Sequence, residues 1–174
     1  GCEYVLVGWE MCIRERRTGF SIESNDLYTS GAIEGQDFGR QLIAEACKVA
    51  PSMTVLDLCA GAGGKTLALA SHMEGQGRLI AADTNRDRLS QLPPRAARAK
   101  AGFIETLLLN PNKEKAALDD LAVACDVVLI DAPCAGSGTW RRNPETRWRL
   151  DQRDLQRLVS EQARLLDLAS GLVK

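Results

Sequence analysis

The sequence predicts an α/β fold built on a parallel sheet, and three observations carry that expectation. Four apolar runs of strand length, Met53 to Cys59, Arg78 to Asp83, Phe103 to Leu109 and Asp126 to Ile130, alternate with segments of helical periodicity. The run Asp126-Val127-Val128-Leu129-Ile130 is continuously apolar after its first residue, as a strand buried on both faces of a parallel sheet should be. Glycines, acids and a thiol cluster just after these runs, at Gly61 to Gly64, Asp83 and Asp131-Ala132-Pro133-Cys134, where open α/β sheets keep their chemistry.

Each element has a local reason. Residues 1–34 hold strand-like pieces around Tyr4 to Val7 and Met11 to Ile13, then a polar stretch, and read as hairpin or connector material ahead of a main domain over 35–174. Phe38, Leu42, Ile43 and Ala46 recur at helical spacing, and Pro51 ends that helix. Thr66 to Met73 is the helix after the glycine-rich turn. Asn85 to Leu92 is helical, but Pro93-Pro94 must break or kink it before Arg95 to Ala101 resumes. Asn110-Pro111-Asn112 caps a helix running to Ala122, and Gln152 to Ala169 is a long amphipathic helix. Four strands alternating with helices imply right-handed crossovers.

Composition excludes several classes. The chain has 174 residues, 45% of them hydrophobic, which suffices for one domain with a real core. Six scattered cysteines and a single histidine, His72, disfavour both a zinc site and a disulfide framework. The formal charge of −1 means that any nucleic-acid contact must come from a local cluster. There is no apolar stretch of membrane-spanning length and no signal-peptide pattern, so a cytoplasmic protein without membrane contact is expected. The chain opens at Gly1 and stops at Gly171-Leu172-Val173-Lys174, where an α/β chain should next enter a strand, and it reads as a piece of a longer protein.

The turn Asp57-Leu58-Cys59-Ala60-Gly61-Ala62-Gly63-Gly64-Lys65-Thr66 joins a strand to a helix, so its glycines can bring backbone close to a ligand at a helix N-terminus. It matches neither the dinucleotide nor the phosphate-loop spacing, and tight packing of strand on helix is its bland reading. Asp83 ends the second strand, where nucleoside-binding sheets hold a ribose; it also suits an N-cap for the helix at Asn85, and the two roles can coexist. Asp131 and Cys134 meet in one loop, a pairing suited to attack on an electron-poor ring carbon.

These motifs, with Gly35-Gln36-Asp37 ahead of them and Arg141-Arg142-Asn143-Pro144-Glu145 behind, resemble in order those of the RNA 5-methylcytosine methyltransferases, most closely the bacterial Sun/RsmB-type small-subunit rRNA enzymes. The resemblance covers Gly31 to Lys174. It implies a Rossmann-like sandwich dependent on S-adenosylmethionine (SAM), here expected to stop after the fourth strand and its helix. It also implies that Asp57, Cys59, Ala60, Gly61, Ala62, Gly63 and Lys65 surround the methionine part of SAM, that Asp83 holds the ribose, and that Asp131 reaches the reaction centre. The family's acid near the adenine is replaced by Asn110, whose amide can still bond a ring edge. The double proline also departs from the family's pattern.

The chemistry explains the loop. Cytosine C5 becomes nucleophilic only after a thiolate adds at C6; C5 then takes the methyl group from SAM, a base removes the C5 proton, and the thiol leaves. Asp131 would bond the exocyclic amine or N3 and stabilise the adduct. Cys134 alone reads as the nucleophile. The resemblance implies otherwise: the family's nucleophile sits in a later Thr-Cys motif absent from these residues, which makes Cys134 the release cysteine and this piece inactive. A small residue filling a turn is the third reading. Arg141, Arg142, Arg147, Arg149 and Arg153, near Trp140 and Trp148, suit RNA phosphates and bases, the first four above all, or else form an ordinary solvated face diluted by Glu145, Asp151 and Asp154. Arg14, Arg16 and Arg17 could extend that path, and a non-catalytic RNA-binding module is the rival from another class. A sheet ending at the fourth strand should expose an apolar edge and self-associate.

Overall fold

The structure, a computed structural model, describes residues 4–7, 12–13, 24–139, 145, 148 and 150–174. Tyr4–Val7 (β1) and Cys12–Ile13 (β2) are the two expected short strands, and Glu34–Asp37 (β3) joins them in an antiparallel sheet of order β2-β1-β3. The sequence reading has no strand at β3, because Glu-Gly-Gln-Asp carries neither alternation nor a β-branched residue. Pairing with β1 makes it one: Tyr4 lies opposite Asp37 and Val7 opposite Glu34. Between β2 and β3, Asp26–Thr29 forms a short helix (α1), with the Asn25 side chain accepting from the Leu27 N–H at 2.9 Å.

Thr54–Asp57 (β4), Arg78–Asp83 (β5), Ile104–Leu108 (β6) and Val127–Leu129 (β7) form the expected parallel sheet, in the order β6-β5-β4-β7. Alternate side chains divide between its faces. Val55, Leu79, Ala81 and Leu129 pack under Gly64–Met73 (α3) and Leu92–Arg98 (α5), while Leu56, Ile80 and Ala82 pack under Glu114–Leu118 (α6) and Gln152–Ser170 (α7). Both faces are thus covered, which explains why the strands read as unbroken apolar runs.

Four details differ from expectation. Phe38–Ala46 (α2) forms, but it buries Ala44 and leaves Leu42 and Ile43 exposed, so its periodicity marks a helix without marking the core face. The proline pair does not stand between two helical pieces. The helix Arg86–Leu89 (α4) ends first, and Pro93 and Pro94 lie in the opening turn of α5, where a missing N–H breaks no helical bond. Asn110-Pro111-Asn112 caps nothing: α6 starts after Lys113, runs only to Leu118 and gives way to a 3₁₀ turn over Asp119–Leu121, while Asn112 takes a left-handed φ of 62°. Finally, the chain does begin to pair beyond α7. Val173 bridges Cys125 in parallel, the Ala124 and Cys125 N–H groups donate to the Leu172 carbonyl, and Lys174 donates to that of Cys125 at 3.0 Å, all beside the start of β7.

Helix α7 is fastened to α6 by one guanidinium. Arg164 meets the buried Glu114 through two bonds of 2.9 Å and also bonds Glu161. Burial works to raise the Glu114 carboxyl, but bonds from Arg164 and from backbone outweigh it and hold it below the ordinary range. Replacing Arg164 by Met should therefore lower stability to urea by roughly 1–3 kcal/mol near pH 7, by leaving a buried carboxylate unpaired. A carboxyl with a depressed native pKa stabilises above its unfolded value and loses that contribution as pH falls, so the gap between wild type and Arg164→Met should close below the ordinary Glu value of 4.5.

Candidate functional site

Three strands deliver acids to one end of the parallel sheet. Asp57 is the last residue of β4, Asp83 the last of β5, and Asp131 follows β7 by two residues. The turn after β4 is stitched to both neighbours, with Leu58 N–H donating to Leu129 at 2.8 Å and Ala60 N–H to Ala82 at 3.0 Å. It then bends through Gly61 and Gly63, at φ 55° and 81°. A Cβ at Gly63 would lie 2.2 Å from a Leu92 methyl, so here the glycine also lets α5 close against the turn.

The acids are compensated differently. Asp57 is fully buried; its Oδ2 accepts from the Thr66 hydroxyl at 2.7 Å, while Oδ1 has no partner among the described residues. Burial pushes its carboxyl up to about 6, against the lowering effects of Thr66 and Lys65 and with help from Asp131 and Asp83. Asp83 accepts from the Gly61 N–H on one oxygen and the Asn85 N–H on the other, both at 2.7 Å. The N-cap of α4 is Asn85 itself, bonded to the Arg88 N–H at 3.0 Å, so that candidate role of Asp83 passes to its neighbour's neighbour. Asp131 is half exposed and forms an ion pair with the buried ammonium of Lys65.

Of the residues expected around SAM, Asp57, Cys59, Ala60, Ala62, Lys65 and Asp131 line one cleft. Gly61, Gly63 and Asp83 are not among its lining residues, although Asp83 bonds the Gly61 N–H of the same turn. Asn110 is outside it, exposed at the end of β6, its carbonyl accepting from the Lys113 N–H at 3.0 Å. Six lining residues are not among the expected cofactor contacts: Gly35, Gln36, Arg40, Gly64, Arg88 and Arg95, of which Gly64 belongs to the glycine turn and Gly35-Gln36 to the segment leading into the domain. Arg88 was the most accessible of these, since it stands one turn into the helix that follows Asp83. Gln36 and Arg40 belong to β3 and α2; Gly35-Gln36-Asp37 marks the approach to the domain, but neither periodicity nor composition there says that these side chains reach this cleft.

The two loop thiols differ. Burial first, and then Asp83, Asp57, Asp131 and Glu161, push Cys59 up to about 12, so it stays protonated at neutral pH. Cys134 is exposed, and its loop is held by Gln162 of α7, whose side-chain amide donates to the Pro133 carbonyl at 2.8 Å. Arg141, Arg142, Arg147, Arg149 and Trp140, like Arg14, Arg16 and Arg17, lie outside the described residues. Trp148, within them, is 80% exposed, and His72 lies in the last turn of α3. Among the described residues no group of His, Cys, Asp or Glu could hold a metal ion, and no helix is long and apolar enough to cross a membrane.

Comparison with known proteins gives this arrangement a family. A profile of the 16S rRNA methyltransferase RsmB/F family matches residues 44–174. The chain is 32% identical over 139 residues to a probable ribosomal RNA small subunit methyltransferase B of Synechocystis, covering 80% of this chain and 31% of that protein. It is 32% identical over 126 residues to the 25S rRNA (cytosine-C(5))-methyltransferase NSUN5 of Arabidopsis thaliana, covering 70% of this chain and 21% of that one. A solved methyltransferase homolog from Pyrococcus horikoshii shares the fold with a TM-score of 0.75 at 26% identity, over 98% of this chain and 53% of its own. The chain thus spans about a third of the length of curated relatives such as the Synechocystis protein. The profile takes in the parallel sheet, the glycine turn and the Asp-Ala-Pro-Cys loop together, and the chain belongs to the 16S rRNA methyltransferase RsmB/F family.

Proposed function

We propose that this chain carries the cofactor site and the Asp-Ala-Pro-Cys loop of a SAM-dependent methyltransferase that modifies C5 of cytosine in RNA, with ribosomal RNA as the substrate class and the cytoplasm as its setting. The observation that carries this reading is the cleft itself: an unpartnered buried carboxylate oxygen, a glycine turn and an ion-paired aspartate meet beyond the ends of three parallel strands. Family membership supports it, as does the activity printed for the NSUN5 relative.

The cleft suits the cofactor. SAM, when bound, supplies a methyl group on a sulfonium, ready for transfer to a carbon nucleophile. Asp57 Oδ1 is a buried acceptor with no donor among the described residues, matched by the ammonium of a methionine moiety, which the segment Cys59 to Gly63 and Lys65 would surround. Each Asp83 oxygen has spent one lone pair on a backbone N–H and keeps another for a ribose hydroxyl. Asn110 is assigned to the adenine edge on the resemblance alone.

On the substrate side, Asp131, held by its ion pair with Lys65, accepts from the exocyclic amine of cytosine and stabilises the charge that develops in the ring. We assign Cys134 to product release, after the C5 proton is lost, and the attack at C6 to a different thiol. A second reading, with Cys134 as that nucleophile, is favoured by its being the exposed thiol among the described cysteines. Arg141, Arg142, Arg147 and Arg149 are proposed to hold RNA phosphates; their place in sequence after the loop and the exposure of Trp148 support this. Residues 1–34 are taken as the connector and 35–174 as the methyltransferase domain, in keeping with the match over 44–174. Self-association of this chain is proposed through the sheet edge at β7, the last strand of the order β6-β5-β4-β7 among the described residues; the exposed Leu155, Val159 and Leu166 of α7, the helix packed on that side of the sheet, add apolar surface to it.

Three measurements test these assignments. Calorimetry with S-adenosylhomocysteine should give saturable binding that Asp83→Ala weakens about tenfold or more, a loss of roughly 1.4 kcal/mol. Because the ligand's ammonium selects ionised Asp57, affinity should be flat above pH 6 and fall by up to tenfold per unit below it; no binding at any pH would remove the cofactor. Incubation with SAM and RNA containing 5-fluorocytosine should trap no covalent adduct if Cys134 serves release, whereas an adduct lost in Cys134→Ser would make it the nucleophile. In sedimentation experiments, Val159→Lys should shift the chain toward monomer.

A further inference from the structure

The glycine turn has few internal means of keeping its shape. Beyond Ala60 it leaves the sheet ladder, and between there and α3 its one internal backbone bond runs from the Gly63 N–H to the Ala60 carbonyl at 2.9 Å. Side chains from three other elements hold the rest. Asp83 of β5 takes the Gly61 N–H, Arg95 of α5 donates to the Ala62 carbonyl at 2.5 Å, and Gln36 of β3 donates to the Gly64 carbonyl at 2.7 Å. Asp83 is already assigned to the cofactor. Arg95 and Gln36 are not, yet both also line the cleft.

Arg95 and Gln36 share a further link through the N-terminal segment. The other end of the Arg95 guanidinium meets Glu34 at 2.7 Å, and Arg98 meets the second oxygen of the same carboxylate. The Arg98 guanidinium lies 4.1 Å from the centre of the Tyr28 ring. Gly31 packs against the end of the same helix: at φ 76°, a Cβ there would fall 1.6 Å from the Arg98 carbonyl oxygen. Residues 28–36 therefore form a strap laid along α5, anchored at Tyr28, Gly31 and Glu34. It reaches the turn twice, through Glu34 by way of Arg95 and through Gln36 directly.

We propose that this strap belongs to the cofactor site, with Arg95 and Gln36 as positioning residues that hold the glycine turn open to its ligand and Glu34 as the residue that aims Arg95. The inference rests on the SAM reading above and adds a coupling: filling the cleft tightens the strap, and loosening the strap weakens the cleft. It also makes the three-stranded sheet, through β3, mechanically continuous with the turn that faces the cofactor.

The test uses the full chain and S-adenosylhomocysteine. Gln36→Met removes one donor at similar volume and should weaken binding about tenfold while the urea midpoint stays near that of wild type. Arg95→Met should weaken binding similarly and also lower the urea midpoint, because it removes one partner of the half-buried Glu34; Arg95→Lys, which can keep the Glu34 charge pair but lacks the fork to reach Ala62 as well, should recover stability ahead of affinity. Where a variant unfolds, hydrogen exchange on the wild type decides. Ligand should slow the amides of Ile33 to Gln36 together with those of Ala60 to Lys65. Protection confined to Ala60 to Lys65, or variants that bind as tightly as wild type, would overturn the strap while leaving the cofactor in place; a wild type that binds nothing would instead fail the SAM reading itself.

Discussion

Three carboxylates converge at the carboxyl end of one parallel sheet, and the need to keep them there governs the surroundings of the cleft. Like charges in a partly desolvated space repel, and each must find a partner or give up its charge. Asp83 is satisfied by backbone N–H groups, which a chain has in plenty only where it turns. Asp131 is satisfied by Lys65, whose own burial is tolerable because that partner exists. Asp57, the deepest, has neither remedy in full. Burial pushes its carboxyl up to about 6, and one of its oxygens has no partner among the described residues. A cationic group in the cleft would supply one.

The same demand explains the shape of the turn. To present an N–H to Asp83 and a lysine to Asp131, the chain must leave β4, reverse within a few residues and enter α3 at once. Left-handed backbone at Gly61 and Gly63 permits that reversal, and the lack of a side chain at Gly63 lets Leu92 press against it. A turn so stripped of side chains contributes little to its own rigidity. Rigidity is supplied from outside, by α5 and β3, and this is why a segment with the look of a connector lies in the wall of the site.

What the sequence revealed and what it hid follow from that geometry. The parallel sheet was legible because both of its faces are buried, which writes continuous apolar runs at Val55-Leu56 and Val127 to Leu129. The acids and glycines were legible because their types are demanded by charge and by φ. Gln36, Arg40 and Arg95 were not, since their importance lies in what they reach across space, over separations such as the 28 residues between Gln36 and Gly64. β3 was hidden for a related reason: its strand character comes from β1. Pro93-Pro94 misled by a few residues, because proline breaks a helix from within but begins one well.

The Asp-Ala-Pro-Cys loop shows how the two faces of the sheet divide one task. Lys65 comes from α3 on one face and grips Asp131; Gln162 comes from α7 on the other and grips the Pro133 carbonyl. Proline offers no N–H, so that carbonyl is the one backbone bonding group its residue has. With both flanking points held, Cys134 is placed by the loop while its sulfur stays exposed. Asp131 has the opposite condition, fixed by a charge and turned toward the cleft. A group that must bind the base throughout the reaction needs that fixity, whereas a thiol that acts on an adduct from outside needs access. The geometry therefore gives Asp131 and Cys134 different surroundings, one fixed and one open, that the four-residue motif, read as letters, does not distinguish.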